Sequence, residues 1–148
     1  MTSTATLGVL LLVAPIATVA FASIFGSRSE RVGASIYAVS IVVTWSAQLV
    51  GDKAPFFIFM GTDLLTAVAL GVLTMRNPDK LWPGVAACAH TLVVVFSATR
   101  ALEFPLSEHT YLVMLNVSSL AGLAALAVGT WAARWRPRTP SAWDIAAA

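Results

Sequence analysis

Charged residues are scarce in this chain. Asp, Glu, Lys and Arg together make up 11% of its 148 residues, whereas hydrophobic residues make up 58%. A soluble domain of this size cannot bury so many apolar side chains, and a disordered chain needs far more charge. Both classes are therefore excluded, and the composition predicts a protein that lies in a lipid bilayer.

Cysteine is nearly absent as well. The single Cys88 excludes a disulfide framework and a cysteine-based metal cluster within one chain, and we interpret it as a small packing residue. The sequence contains no phosphate-binding glycine loop, no metalloprotease motif and no nucleophile elbow. The net charge of +2 resides mainly beside the apolar stretches. We therefore predict no metal site, no enzymatic activity and no nucleic-acid partner.

Five apolar stretches are each long enough to cross the hydrocarbon core of a bilayer, which takes about 20 residues of helix. Lipid offers the backbone no hydrogen-bond partners, so spans of this length must be helical. The predicted fold is an all-α, polytopic bundle of five transmembrane helices at residues 7–25, 33–50, 56–75, 81–99 and 109–133. One transmembrane domain then occupies residues 1–133, and residues 134–148 form a short, basic, Trp-containing tail.

The distribution of basic residues predicts the orientation. The first loop, the third loop and the tail contain most of the Lys and Arg residues, namely Arg28, Arg31, Arg76, Lys80, Arg134, Arg136 and Arg138. The opposite side has only Lys53 and Arg100. Because cytoplasmic loops carry the excess of Lys and Arg, we predict a bacterial inner-membrane protein with its N-terminus outside and its C-terminus in the cytoplasm.

Three tryptophans lie at the predicted cytoplasmic ends of their helices. Trp82 begins the fourth span, and Trp131 and Trp135 end the fifth. Amphipathic indole rings are enriched in the headgroup layer of a membrane. We therefore predict that all three anchor the protein at that interface.

Polar residues within the spans are few, and five of them fall at a similar depth. Asp63 is the acidic side chain in the middle of an apolar span, and a carboxylate there is costly unless it is paired, neutralised or hydrated. A rise of about 1.5 Å per residue places His90, Asn116, Ser40 and Thr44 near the same height. We predict a polar cluster centred on an interaction between Asp63 and His90. It would act either as a strut that fixes helix register or as a proton relay.

His90 has a second interpretation. Small residues at Ala86, Ala87 and Ala89 leave room beside it for a flat macrocycle. Over five residues, Ala86-x-x-x-His90 resembles the Ala-x-x-x-His arrangement by which light-harvesting antenna helices ligate bacteriochlorophyll. The resemblance implies a haem or chlorin with His90 as axial ligand, although our main expectation is a protein without a cofactor.

The fifth span has a pattern of small residues that is typical of close helix packing. Ala121, Ala125 and Gly129 repeat at every fourth position, and Ser118 and Gly122 form an adjacent ridge. Small residues at this spacing let two helix backbones approach each other. The pattern predicts a contact face, either within one chain or between subunits.

These observations favour a small, non-catalytic protein that serves as an accessory or assembly subunit of a larger membrane complex. An alternative is a homo-oligomeric transporter or channel that uses Asp63 and His90 for proton coupling, and a third is a haem- or chlorin-binding subunit. The expected partners are the lipid bilayer and either other membrane subunits or further copies of the chain. An enzyme is disfavoured because the outer loop offers only Glu103, Glu108 and His109.

Overall fold

The computed structural model describes residues 2–49, 56–105 and 107–135. All regular secondary structure in these ranges is helical, and they contain no strand. The helices are α1 Thr2–Phe25, α2 Arg28–Leu49, α3 Phe56–Arg76, α4 Trp82–Ala101 and α5 Glu108–Trp135. The all-helical prediction is confirmed, and each predicted span overlaps one helix. The predicted tail from residue 136 onward lies outside the described residues.

Local sequence explains where the helices begin. α2 starts at Arg28, five residues before the predicted span, because Ser27 and Glu30 have the spacing of a capping box and make one of its two hydrogen bonds. The Ser27 backbone N–H donates to Glu30 Oε2 at 3.1 Å, and the Ser27 hydroxyl donates to the same oxygen. Ser107 caps α5, since its hydroxyl oxygen accepts the Thr110 backbone N–H at 3.1 Å.

The helices pack in a closed ring that follows their order in the chain. α2 contacts α1 and α3, α4 contacts α3 and α5, and α1 contacts α5. A smaller contact between α2 and α5 crosses the ring. Short connections favour this arrangement, because each helix must return beside the one before it. The ring brings α2, α3, α4 and α5 around one interior.

The interior of the bundle combines small and polar residues with a few large side chains such as Leu70 and Leu126, while many other large aliphatic side chains face outward. Ala34 and Ala86 are fully buried, whereas Val39, Leu65 and Val128 are each more than half exposed. This distribution suits a protein whose surroundings are apolar. α2, α3, α4 and α5 are long and apolar enough to cross a membrane, and Val13–Phe25 of α1 forms a shorter apolar stretch. A multi-pass membrane protein is thus plausible.

Trp82 lies inside the bundle. The sequence pattern had predicted instead that its ring lies in the headgroup layer of the membrane. It is 6% exposed, and its ring packs directly against Gly33 of α2 and Gly129 of α5. Two glycines opposite each other leave space for the indole, and its N–H finds a buried acceptor in Glu30. Trp131 and Trp135 are exposed, with ring centroids 5.8 Å apart, and their anchoring role stays a prediction.

Candidate functional site

Asp63 and His90 are in direct contact. His90 Nδ1 lies 2.9 Å from Asp63 Oδ1, which links α4 to α3. The His90 side chain is 6% exposed and the Asp63 side chain 24%, so the pair extends from the interior toward the surface between the helices. In a neutral imidazole, a carboxylate at Nδ1 favours the tautomer that carries its proton on that nitrogen. The other ring nitrogen, Nε2, then presents a lone pair to the interior.

Tyr37 on α2 forms the opposite wall of this site. Its ring centroid is 5.3 Å from that of His90, and the two rings are tilted by 53°. The phenol oxygen lies against Gly122 of α5, where a Cβ atom would come within 2.5 Å of it. His90 Nε2 faces the same glycine, 3.6 Å from the position of that absent Cβ. Side chains from three helices and the backbone of a fourth therefore converge around His90.

The other three residues of the predicted cluster do not join this contact. Asn116 is exposed on the outside of α5. Ser40 is half-buried in a groove between α2 and α3 that Thr62 and Thr66 also line. Thr44 is half-buried, and within the described ranges its hydroxyl makes no hydrogen bond to Asp63 or His90. The prediction used only the height of each residue along its helix. The side chains point in different directions around the helix axes, which separates these three residues from Asp63 and His90.

Threonines within the helices satisfy their own hydroxyl groups locally. Thr66 donates to the Thr62 carbonyl at 2.8 Å, and Thr62 donates to the Ile58 carbonyl at 2.7 Å. Thr130, fully buried on α5, donates to the Leu126 carbonyl at 2.8 Å. This bond to the preceding turn lets a hydroxyl exist in apolar surroundings without a partner on another helix. These threonines are therefore structural and not part of the His90 site.

The packing around His90 leaves little room for the predicted macrocycle. Nε2 is the nitrogen available to ligate iron or magnesium, because Nδ1 contacts Asp63. It points at the α5 backbone beside Gly122 and at Tyr37, with Ala89 packed against the same glycine. A haem or chlorin at this nitrogen would require α5 to move away from α4. Cofactor binding stays a prediction that this packing does not favour.

A second buried polar cluster, the Glu30 cluster, joins the α1–α2 connection to the α3–α4 connection. Glu30 is fully buried, and its carboxylate accepts Lys80 Nζ at 2.8 and 3.1 Å and Trp82 Nε1 at 2.9 Å. The hydroxyls of Ser27 and Ser29 also donate to it, the latter at 3.1 Å. The sequence analysis did not identify this cluster, because Glu30 precedes the predicted span at residues 33–50. The capping-box spacing from Ser27 to Glu30 was the available signal.

The small residues of α5 divide between two sides of the helix. Ser118 and Gly122 are buried in the bundle, and Gly129 packs on Trp82. Ala121 is exposed and Ala125 is half-buried, and both line a groove along α4 and α5. The inward side packs within this chain, while the outward side has no helix against it among the described residues.

Comparison with protein-family models, with curated proteins and with solved structures gave no match for this chain. The functional proposals below therefore depend on the geometry of its own residues.

Proposed function

We propose that this protein is a non-catalytic accessory or assembly subunit of a larger complex in the bacterial inner membrane. In this proposal the chain crosses the membrane five times, with its N-terminus outside and its C-terminus in the cytoplasm. Apolar helix surfaces that face outward support the membrane location. The excess of Lys and Arg on one side supports the orientation.

Asn116 is the observation that carries the subunit proposal. It lies eight residues into α5, about 12 Å along the helix, and its side chain is exposed. No group in the described parts of the chain hydrogen-bonds its amide. Lipid tails cannot hydrogen-bond an amide either, and Asn side chains in membranes pair with neighbouring helices at a gain of about 0.6–2 kcal/mol. Asn116 therefore favours a partner helix against this side of α5.

A second outward surface of α5 lies on nearly the opposite side of the helix from Asn116. Ala121 and Ala132 are exposed and Ala125 is half-buried, and with Val85 and Val128 they line the groove along α4 and α5. At about 100° per residue, Ala121 is turned about 140° from Asn116 around the helix axis. Alanines in this groove would let another helix backbone approach α5 closely. For the Asn116 side, a transmembrane helix of another protein subunit is the proposed occupant.

Purification of the tagged protein in mild detergent tests this proposal. We expect a second membrane protein at stoichiometric amount, and we expect Asn116→Leu to reduce its recovery severalfold. Met114→Leu is the matched control, because Met114 is also exposed on α5 but lies on a different side of that helix from Asn116. A homogeneous homo-oligomer with no second protein would overturn the subunit proposal.

A homo-oligomeric transporter or channel is the second candidate, and the contact between Asp63 and His90 favours it. An acid and an imidazole joined inside a membrane bundle are typical of proton-coupling sites. Purified protein in proteoliposomes should then take up protons on an imposed gradient, and Asp63→Asn or His90→Ala should abolish the uptake. Asn116→Leu should leave it unchanged. No uptake by the unsubstituted protein would remove this candidate.

The predicted haem or chlorin is tested on the same purified sample. An absorption spectrum with a Soret or near-infrared band that disappears in His90→Ala would establish a macrocycle at this residue. A spectrum without such a band would eliminate the third possibility from the sequence.

The orientation is tested by cysteine labelling in a Cys88→Ala background. Lys53→Cys should react with a membrane-impermeant maleimide on intact spheroplasts. Ser141→Cys should react only after the membrane is opened. The reverse pattern would contradict the proposed orientation.

A further inference from the structure

Two buried polar atoms meet beside Gly122 without a hydrogen-bond partner among the described residues. They are the Tyr37 phenol oxygen and His90 Nε2. Tyr37 is 4% exposed and His90 5%, so bulk water does not reach them freely. Buried polar groups in proteins are nearly always satisfied, either by the chain or by an ordered water. An explanation is therefore needed for both atoms at once.

The geometry around Gly122 places both atoms against the same residue. A Cβ atom on residue 122 would stand 2.5 Å from the Tyr37 phenol oxygen and 3.6 Å from His90 Nε2. The two atoms therefore lie no more than about 6 Å apart, which is within the reach of one water that hydrogen-bonds to both. A Cβ atom at this position would collide with the phenol oxygen, so Tyr37 can lie here only because residue 122 is glycine.

We propose that one water molecule binds between Tyr37 and His90 beside Gly122. With the Nδ1 proton directed to Asp63, Nε2 accepts one hydrogen from the water. The water oxygen in turn accepts the phenol hydrogen of Tyr37. Tyr37, the water, His90 and Asp63 then form one hydrogen-bonded chain that joins α2, α4 and α3. The inference rests on the contact between Asp63 and His90 and requires neither of the functions proposed above.

Nitrogen NMR of His90 tests the water site. The chain has two histidines, so His109→Gln leaves His90 as the only residue that ¹⁵N-histidine labels. The His109→Gln protein is the parent of the variants below. In this parent we expect magnetisation transfer from a long-lived water to the His90 ring and a ¹⁵N chemical shift of Nε2 that is typical of a hydrogen-bond acceptor. Gly122→Ala should displace the water, so the transfer should fall to baseline and the Nε2 shift should move toward that of an unbonded nitrogen.

Two further variants keep the test decisive. Tyr37→Phe removes one of the two partners of the water and should have the same effect on Nε2 even if Gly122→Ala fails to fold. Gly71→Ala is the matched control, because a Cβ atom there meets nothing within 4 Å, and its spectrum should equal that of the parent. The Nδ1 signal should persist in all three variants.

Two outcomes would overturn the proposal. One is the absence of water transfer to His90 in the parent. The other is an Nε2 shift that Gly122→Ala and Tyr37→Phe both leave unchanged. Nε2 could also accept a hydrogen bond that is lost in Tyr37→Phe while no magnetisation is transferred from water. This result would count against the proposal, because it indicates a direct hydrogen bond from the Tyr37 hydroxyl to Nε2. None of these results depends on a partner protein or a transport assay.

Discussion

The ion pair between Lys80 and Glu30 yields the sharpest prediction from this structure. Lys80 Nζ lies 2.8 Å from Glu30 Oε1, and the side chains are 19% and 1% exposed, respectively. Removing either partner breaks the same pair but leaves a different group alone. Lys80→Met leaves a carboxylate that is almost fully buried, whereas Glu30→Gln leaves an ammonium that still reaches water. We therefore expect the two substitutions to differ in cost.

The magnitudes follow from what each remaining group can still contact. Breaking a buried ion pair costs about 3–5 kcal/mol, and Glu30 would keep donors from Ser27 and Trp82, so we expect about 3 kcal/mol for Lys80→Met. In Glu30→Gln the amide oxygen still accepts Trp82 Nε1, and Lys80 keeps the hydroxyls of Ser27 and Ser29. This substitution should cost about 1–2 kcal/mol.

Unfolding in mixed micelles with increasing dodecyl sulfate, followed by far-ultraviolet circular dichroism, measures both costs. Glu108→Gln is the control, because Glu108 is exposed in the first turn of α5 and should change the free energy of unfolding by less than about 0.5 kcal/mol. The double variant should lose less than the sum of the single losses, since the pair is lost only once. The reasoning is refuted if Glu30→Gln costs as much as Lys80→Met, or if neither differs from the control.

Three further substitutions test the packing and the His90 site. Gly129→Ala would place a methyl group against the Trp82 ring and should lower the free energy of unfolding by about 1–3 kcal/mol in the same assay. Gly71→Ala is the control, because its methyl group meets open space, and it should cost less than about 1 kcal/mol. Equal costs would contradict the packing of Trp82 on Gly129. His90→Ala should cost about 2–4 kcal/mol, because it empties a buried position and leaves Asp63 without its partner. Asp63→Asn should cost less than His90→Ala, since the amide oxygen can still accept Nδ1–H; the opposite order would argue against the hydrogen bond between them.

The amino-acid sequence predicted which segments are helical and the height of each side chain along its helix. Apolar length predicts a helix because an unsatisfied backbone is costly in lipid. A fixed rise per residue then gives the height of each side chain. For this reason Asp63 and His90 were expected at the same level, and their atoms lie 2.9 Å apart.

The direction of a side chain around its helix axis required the tertiary structure. Asn116 has the height of the His90 site but faces outward, and Tyr37 was not singled out although it packs on His90. Weakly amphipathic helices offer little sequence signal for which side faces inward, because both sides of α4 and α5 carry apolar residues.

The sequence by itself therefore predicted lipid surroundings for this protein, its helical class and the height at which its polar groups lie. Tertiary packing alone decided that Glu30 is buried, that Trp82 enters the bundle, and that Gly122 brings α5 against Tyr37 and His90. The physical reason is that apolar length and the rise per residue are properties of one segment. A contact, by contrast, depends on how several segments are rotated against one another, and small residues on facing helices set that rotation.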